Sequence, residues 1–217
     1  MKLNVALAVF FVGWPGHSLE HNTASTELMD MLGNLSTYRA EFEQVTRDFG
    51  GDLLETQVGR VVFSRIAGLR WQIDEPFSQV MVAKRGGLYI LDLDLEQLTV
   101  ANLSDLPDSA FALLVMDASV ESIARFNVQY LKSADNGLDV GYVLQPTGEE
   151  SVFQELRVYF LEGVMIRIEV VDHFDQQTDV LFRNPKANQV VELSEFEIVV
   201  PEGTDVIGDV TDRDPSG

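Results

Sequence analysis

Residues 57–75 read QVGRVVFSRIAGLRWQIDE, and this stretch decides the fold class. Apolar and polar side chains alternate along it with period two, the repeat of a strand that buries one face. The side chains on the apolar face are Val61 and Phe63 in the first run and Leu69, Trp71 and Ile73 in the second. Two such runs joined by a short turn predict a pair of antiparallel strands.

Further alternating runs extend this pattern along the chain. Strands are predicted at 79–84, 88–93, 97–102, 126–132, 138–145, 152–161, 164–172, 177–183, 189–193 and 195–200. Glu162-Gly163 joins two of these strands as a tight hairpin turn. Many short antiparallel strands in one domain predict a barrel or a strongly curved sheet.

Two segments follow the helical period instead. Residues 26–44 carry an apolar stripe at i, i+3, i+4, i+7 and i+10, which predicts an N-terminal helix. The stripe consists of Leu28, Met31, Leu32, Leu35 and Tyr38. Residues 105–124 interrupt the strands with helix formers, and Phe111, Leu114 and Val115 are expected to face the sheet. This insert is either an ordinary core helix or a lid that leaves when an apolar ligand enters.

The chain begins like an exported protein. One Lys and a short apolar run precede small and helix-breaking residues, which predicts a secretory signal over residues 1–18. The alternative is a buried N-terminal strand or helix. The run is too short to span a bilayer, which takes about 20 residues. We therefore expect a signal at 1–18, a single domain at 19–208, a flexible tail at 209–217, and a mature protein outside the cytoplasm.

The charge balance narrows the classes of partner. The chain has 217 residues with 35 acidic and 15 basic side chains, giving a formal net charge of −20. Phosphate-backbone binding depends on Lys and Arg, so a nucleic-acid binder is not expected. The absence of Cys excludes disulfides, thiol catalysis, thiolate metal sites and lipid attachment through a thioether.

The residues offer little for catalysis or metal binding. Of the three His, only His173 falls in the predicted domain away from its flexible start, and no Gly-x-Ser-x-Gly elbow accompanies it. Asp92 and Asp94 could in principle act as an acid–base pair or bind Ca²⁺, but they lie at the end of a strand where acidic turns are common. We predict no catalytic residue, no metal and no cofactor.

Arg65 is the most informative single residue. Alternation places it on the same face as Val61 and Phe63, where an unpaired guanidinium would be very costly. Two interpretations remain equally open. Either Arg65 has already reached solvent at the end of its strand, or it lies inside an apolar cavity and bonds to the element that closes that cavity.

Five segments, in order, carry a family resemblance. They are AEFEQ at 40–44; Gly59, Phe63, Arg65, Trp71, Pro76 and Gln79; GLYILDLDLEQ at 87–97; AFALL at 110–114; and Phe196 with PEGTDVI at 201–207. In this order they resemble the LolA family of periplasmic outer-membrane lipoprotein carriers. The chain departs from the family pattern at Ile66, where Pro is usual, at Tyr89, where Trp is usual, and at 110–114, which lacks the usual Pro of that segment.

This resemblance implies a mainly β fold, an incomplete, half-open antiparallel β-barrel with an N-terminal helix and a helical insert covering an apolar cavity. It implies a monomer that takes lipoprotein acyl chains from an inner-membrane ABC transporter and hands them to an outer-membrane receptor. The family's functional arginine corresponds to Arg65, its lid contacts to Phe111 and Leu114, and its helix contact to Leu32. The expected ligand-binding residues are Leu32, Val61, Phe63, Arg65, Leu69, Trp71, Phe111 and Leu114.

Other functions remain as alternatives. A periplasmic protein of the same fold could carry another apolar ligand, in the manner of a lipocalin. A stress sensor of related fold usually has a second domain, and the outer-membrane receptor needs a lipidated Cys that this sequence lacks. A hydrolase is the enzyme alternative, and the small number of His argues against it.

Overall fold

The elements follow the predicted order, with strands on both sides of a helical insert. The computed structural model describes residues 23–84, 87–102, 110–116, 120–131, 140–148, 151 and 153–208. Its helices are α1 (Thr23–Gly33), α2 (Ala110–Met116) and α3 (Val120–Ile123). The predicted signal at 1–18 and the predicted tail at 209–217 lie outside the described residues.

The strands are β1 (Thr37–Arg47), β2 (Leu53–Ser64), β3 (Gly68–Glu75), β4 (Gln79–Lys84), β5 (Gly87–Asp92), β6 (Gln97–Ala101), β7 (Phe126–Tyr130), β8 (Val140–Pro146), β9 (Phe153–Leu161), β10 (Val164–Asp172), β11 (Gln177–Ala187) and β12 (Asp205–Ile207). They form one sheet in the order β12-β6-β5-β4-β3-β2-β1-β11-β10-β9-β8-β7. All neighbours are antiparallel except β12, which pairs with β6 in parallel. The edge strands β7 and β12 do not pair with each other, so the predicted incomplete barrel is confirmed.

The two strands of the deciding stretch are confirmed as β2 and β3. Val61 pairs with Trp71 and Phe63 pairs with Leu69 across the hairpin, so all four side chains lie on one face. The predicted turn at Glu162-Gly163 joins β9 and β10, and both residues have positive φ, 51° and 75°. This geometry suits a two-residue hairpin turn.

The predicted helix at 26–44 is wrong beyond Gly33. Residues 37–47 form β1, the strand between β2 and β11. Tyr38, Ala40 and Phe42 are buried at alternate positions, which is the strand period. The helical stripe is misleading because Gly33 and Asn34 end the helix and Tyr38 is buried as part of β1.

The predicted strands at 189–193 and 195–200 are also wrong. Residues 188–204 pair with no strand, and a short 3-10 helix covers Leu193–Phe196. This C-terminal segment crosses the sheet face that bears Val62 and Val82, and it buries Phe196 there. Its apolar residues alternate because they pack on this sheet face, although the segment pairs with no strand. The three-residue β12, which follows it, was not predicted.

The sheet has two apolar faces of different size. The larger core includes Tyr38, Phe42 and Val61, and the helices pack against it. We call this the concave face. The smaller core lies on the opposite, convex face beneath the C-terminal segment. Among the described residues, no helix is long and apolar enough to cross a membrane.

Acid should loosen the C-terminal segment before it unfolds the sheet. Burial tends to raise the pKa of Glu195, but the Glu192 backbone N–H and the Arg39 guanidinium, whose Nη2 lies 2.6 Å from Oε1, outweigh it and lower this pKa. A carboxylate with a depressed folded pKa stabilises above its unfolded pKa of about 4.3, and that stability is lost as pH falls through the folded pKa.

We therefore expect protease sensitivity of residues 188–204 to stay constant from pH 8 to 5 and to rise below about pH 4. The Glu195→Gln variant should be more sensitive already at pH 7 and respond less to acid. The effect should stay below about 1 kcal/mol because the pair is partly exposed. If acid raises the protease sensitivity of wild type and of Glu195→Gln equally, the role assigned to the Glu195 carboxylate is contradicted.

Candidate functional site

The concave face carries an aromatic patch at its centre. The rings of Phe42 and Trp71 stack with centroids 4.1 Å apart, and Phe182 meets Trp71 edge-on at 6.5 Å. Only glycine fits at position 59, because a Cβ there would lie 2.0 Å from the Gln72 carbonyl oxygen and 2.8 Å from Phe42 Cζ. Phe42 and Gly59 are paired neighbours on β1 and β2, so the ring lies over the glycine and reaches Trp71.

Helix α2 lies across this face. It contacts both β3 and β10, which three other strands separate in the sheet. A seven-residue helix is about 10 Å long, so it reaches both strands only because the sheet curves around it. Ala112, Leu114 and Val115 are buried against this face. As expected for Leu114 and Val115, the insert packs onto the concave side of the sheet.

Helix α1 covers a neighbouring part of the same face. Leu28 and Leu32 are fully buried, and the helix contacts β7 and α3. Glu27 faces two tyrosines of the β7–β8 hairpin, and its Oε2 lies 3.5 Å from the Tyr142 hydroxyl. Burial and the Glu27 charge raise the pKa of Tyr142 to about 12, and the hydrogen bond to Glu27 raises the pKa of Tyr130. Both tyrosines therefore stay neutral at physiological pH and available to hold α1.

Arg65 connects the sheet to α1. It is the first residue after β2, and its Nη2 donates to the Leu32 and Leu35 carbonyl oxygens at 2.7 and 2.8 Å. Its guanidinium carbon lies 5.7 Å from the Phe63 ring centroid. The last carbonyls of a helix lack intrahelical partners and carry partial negative charge, so a cation there stabilises the helix end.

This geometry falls between the two interpretations of Arg65. The residue as a whole is exposed, so it lies at the rim of the concave face and not inside it. The guanidinium nevertheless bonds to an element that covers the face, and that element is α1 with the turn that follows it. The placement of Arg65 inside an apolar cavity is therefore wrong, because β2 has already ended at Ser64.

The structure brings most of the predicted ligand-binding residues together. Val61, Phe63, Leu69, Leu32 and Leu114 belong to one buried core, and Trp71 is half-buried against it. The side chain of Phe111 lies outside the described residues. These side chains belong to one buried core, so α1 and α2 cover the described part of the face. As ligand contacts, all eight residues stay predictions.

Sequence reasoning missed a buried hydrogen bond across the same face. The Tyr38 hydroxyl donates to the Met165 carbonyl oxygen at 2.7 Å, which joins β1 to β10 over β11. Burial raises the pKa of Tyr38, so the hydroxyl keeps its proton. The period-two burial of β1 could have revealed that Tyr38 points inward, but its acceptor lies 127 residues away.

Removing this hydroxyl should weaken the fold measurably. We expect Tyr38→Phe to lower the free energy of unfolding by about 1–2 kcal/mol, because the buried carbonyl loses a donor. Urea titration followed by circular dichroism measures the change. Tyr89→Phe is the control, since its ring lies beside Lys84 on the convex side. Equal losses in the two variants would contradict a specific role of the Tyr38 hydroxyl.

The acidic and histidine candidates have structural roles. Asp92 Oδ1 accepts from the Asp94 and Leu95 backbone N–H groups and so shapes the β5–β6 turn. His173 is exposed, with Nε2 2.7 Å from the Ser151 carbonyl oxygen. In the ranges that the structure describes, no group of three or more His, Asp or Glu side chains is arranged to hold a metal ion.

The convex face holds a pocket of about 850 Å³ beside the C-terminal segment. Its arginines are engaged: Arg39 with Glu195, Arg60 with Asp74, and Arg70 with Gln72 and the Glu197 carbonyl. This pocket is polar and charged, so it does not suit a hydrocarbon chain. The apolar concave face does.

Similarity to known proteins decides the family. Residues 33–199 match the family described as outer membrane lipoprotein carrier protein LolA. The chain belongs to the LolA family. It is 31% identical over 180 residues to an outer-membrane lipoprotein carrier protein of Azotobacter vinelandii, covering 83% of this chain and 86% of that protein. A Pseudomonas syringae pv. syringae protein of the same description is 30% identical over 207 residues, covering 95% of this chain and 98% of that protein.

A solved structure supports the fold of this LolA family member. An uncharacterized conserved protein from Thermus thermophilus superposes with a TM-score of 0.57 at 14% identity, covering 84% of this chain and 98% of that chain. At this identity the likeness concerns the fold alone. The family membership confirms the resemblance inferred from the five segments.

Proposed function

We propose that this protein is a periplasmic chaperone that binds the acyl chains of lipoproteins released from the inner membrane and delivers them to the outer membrane. LolA family membership supports the class of cargo. The observation that carries the proposal is the apolar concave face covered by α1 and α2, with Arg65 holding the end of α1. Such a face offers hydrocarbon contacts that are available only when its cover moves.

Reversibility follows from competition between cargo and helices. Burying one methylene stabilises by about 0.8 kcal/mol, so one long acyl chain contributes on the order of 10 kcal/mol. A carrier with that full affinity would not release its cargo. When the helices close over the empty face, they recover much of the same apolar burial, and the affinity falls by the fraction of molecules that are closed.

The same proposal includes the two partners that load and unload the protein. We assign loading to an inner-membrane lipoprotein-releasing ABC transporter and unloading to an outer-membrane lipoprotein receptor. The protein acts as a monomer, one domain at 19–208 behind an export signal at 1–18, with no catalytic step and no cofactor.

The test is a two-step transfer assay with the chain from residue 19. Proteoliposomes containing the transporter and a labelled triacylated lipoprotein are incubated with ATP and the carrier, and the soluble fraction is analysed. We expect a soluble one-to-one complex that then transfers its label to vesicles carrying the receptor. The same lipoprotein without acyl chains is the matched control, and its equal recovery would contradict acyl-chain binding.

A carrier for another apolar ligand is the second candidate. The observation in its favour is that the core of the concave face is built of hydrophobic side chains, which do not distinguish a lipoprotein from a free fatty acid. In the same assay, excess fatty acid that fully prevents complex formation would favour this second function. An esterase assay on the purified chain checks the enzyme alternative.

A further inference from the structure

The pocket on the convex face reverses the charge balance of the chain. Acidic side chains outnumber basic ones by 35 to 15 in the whole sequence. Around this pocket of about 850 Å³ the cations outnumber the carboxylates by four to three, and the cations are Arg39, Arg60, Arg70 and Lys186. We call it the convex pocket. Its local excess of cations attracts anions to a protein that otherwise repels them.

Strand pairing brings these cations together. Arg39 on β1 lies directly opposite Lys186 on β11. Like charges placed directly opposite destabilise a sheet, so an anion between these two side chains would stabilise it. On the other side Arg39 is opposite Val62, which is opposite Arg70, so three cations lie in one row across four strands. Burial and the charge of the nearby Arg60 lower the pKa of Arg70, as expected where cations crowd.

A β-bulge places Lys186 in this row. Asn184 and Pro185 on β11 lie opposite the single residue Ala40 on β1, and Asn184 has a left-handed φ of 51°. Because side chains alternate between the two faces of a strand, Lys186 would point to the apolar concave face without this extra residue. The bulge therefore turns Lys186 to the convex face beside Arg39, and bulges often redirect side chains at binding sites.

One oxyanion already occupies the row, and it belongs to the protein itself. Oε1 of Glu195 lies 2.6 Å from Arg39 Nη2. Arg70 Nη1 donates to the backbone oxygens of Glu195 and Glu197, at 3.4 and 3.1 Å. Both guanidinium groups therefore meet at Glu195. Its carboxylate marks the position where the pocket holds a negatively charged group.

Other donors around the pocket are not used by the protein. The Lys186 ammonium, the Asn184 amide and the Ser194 hydroxyl line the pocket. None of the three side chains has a hydrogen bond or ion pair with another described residue. A ligand with several acceptor oxygens could therefore bind these donors without breaking a contact of theirs.

We propose that the convex pocket binds the phosphate group of a small phosphate ester, which replaces the Glu195 carboxylate at Arg39 and also contacts Lys186. A phosphate has more acceptor oxygens than a carboxylate, and guanidinium groups suit its geometry. The volume of about 850 Å³ lies within the range of small-molecule sites, about 300–1,000 Å³, and leaves room for the alcohol part of the ester. The site lies on the opposite face from the proposed acyl-chain site and does not depend on it.

The experiment titrates the chain from residue 19 with glycerol 3-phosphate by calorimetry at constant ionic strength. We expect Lys186→Gln to bind at least about 5-fold more weakly than wild type, which corresponds to about 1 kcal/mol for one exposed charge pair. Arg183→Gln is the matched control. It removes one positive charge from the same strand, but Arg183 lies outside the pocket and pairs with Glu43. This control should bind as wild type.

A second variant should change affinity in the opposite direction. Glu195→Gln removes the carboxylate that competes for Arg39, so glycerol 3-phosphate should bind at least about 3-fold more tightly. Glu43→Gln is its control, because it removes one carboxylate from an arginine pair outside the pocket. If both members of either matched pair change affinity equally, only net charge matters and the proposal is overturned.

A readout of position and a second probe complete the test. In amide NMR spectra of the wild type, binding should shift signals of residues 184–186 and 194–197, and shifts confined to other residues overturn the proposal. Flotation with phosphatidylglycerol vesicles repeats the comparison of variants on a lipid headgroup. Pocket-dependent binding of glycerol 3-phosphate assigns a soluble ester, and pocket-dependent binding of vesicles alone assigns a headgroup. Either result supports the phosphate site, and binding of neither probe overturns it.

Uptake of a fluorescent fatty acyl probe separates this proposal from the proposed function. Lys186→Gln should take up the probe as wild type does, because Lys186 lies on the convex face. If the wild type takes up no probe, the carrier function fails whatever the phosphate result. If uptake is normal and no phosphate ester binds, only the phosphate site fails.

Discussion

Replacing Arg65 by Leu should leave lipoprotein loading intact or stronger and slow delivery to the receptor by about 100-fold. The guanidinium donates to the Leu32 carbonyl oxygen at the end of α1 and to the Leu35 carbonyl oxygen in the turn that follows, at 2.7 and 2.8 Å. Charged hydrogen bonds contribute about 1.5–3 kcal/mol each, so losing both at the exposed rim should weaken the closed form by about 3 kcal/mol. That loss corresponds to about 100-fold in the equilibrium between closed and loaded forms. The measurement is the rate at which the pre-formed complex transfers labelled lipoprotein to receptor vesicles.

Arg60→Leu is the matched control for this variant. Arg60 lies on β2, the strand that ends just before Arg65, and it forms an exposed ion pair with Asp74 at 3.2 Å on the convex side. An exposed pair contributes about 0–1 kcal/mol, so transfer by this control should be close to wild type. If Arg65→Leu also delivers its cargo at the wild-type rate, the role of the α1 contact in release is contradicted.

Truncating Leu114 should destabilise the empty protein much more than the loaded one. Leu114 is fully buried between α2 and the sheet, and Leu→Ala at such a site costs about 2–5 kcal/mol. If α2 leaves the sheet when the acyl chain enters, this packing is absent from the loaded form. Thermal unfolding of Leu114→Ala and wild type, each with and without saturating lipopeptide, measures the difference.

The same experiment distinguishes a lid from an ordinary core helix. Leu156→Ala on β9 is the control, because this fully buried residue belongs to the sheet and stays packed in both forms. If α2 is a lid, Leu114→Ala costs less stability in the loaded protein than in the empty protein. Leu156→Ala should cost the same in both. Equal losses of stability for Leu114→Ala in the empty and loaded forms would contradict movement of α2.

Most of the strands were predictable from sequence because each of these buries at least one face. The concave-face side chains of β2 and β3 recur at every second residue, and the Glu162-Gly163 turn carries its own signal, so both hairpins are confirmed. The order of strands around the sheet was not predictable in the same way. The pairing of β1 with β11 joins residues more than a hundred positions apart, and no local pattern encodes it.

The sequence predictions are wrong where a helical repeat overlaps a strand repeat, or where apolar residues are buried without pairing as a strand. Leu35 and Tyr38 extend the helical stripe of α1 by coincidence, although Tyr38 already belongs to β1. The C-terminal segment alternates like a strand because Phe196 and Ile198 pack on the convex face, yet it forms no ladder. β12 has three exposed residues and therefore no apolar pattern at all.

The candidate site was predictable in its residue types but not in its contacts. Alternation gave Val61, Phe63 and Trp71 as inward side chains, and the resemblance pointed to Leu32 as the helix contact. The acceptors of Arg65 are backbone oxygens, which carry no sequence signature. The contact of Glu27 with Tyr142 likewise depends on how α1 lies against the β7–β8 hairpin, which only the folded chain determines.

The central claim is that an acyl chain binds reversibly on the concave face, beneath the helices. The sequence has two Trp, Trp14 and Trp71, so the chain from residue 19 contains Trp71 as its single fluorescent indole, stacked on Phe42 in that face. A synthetic lipopeptide with brominated acyl chains quenches indole fluorescence on contact. We predict saturable one-to-one quenching of Trp71 that is reversed when the receptor is added. Tight binding by calorimetry without quenching of Trp71 would place the acyl chain elsewhere and contradict the account.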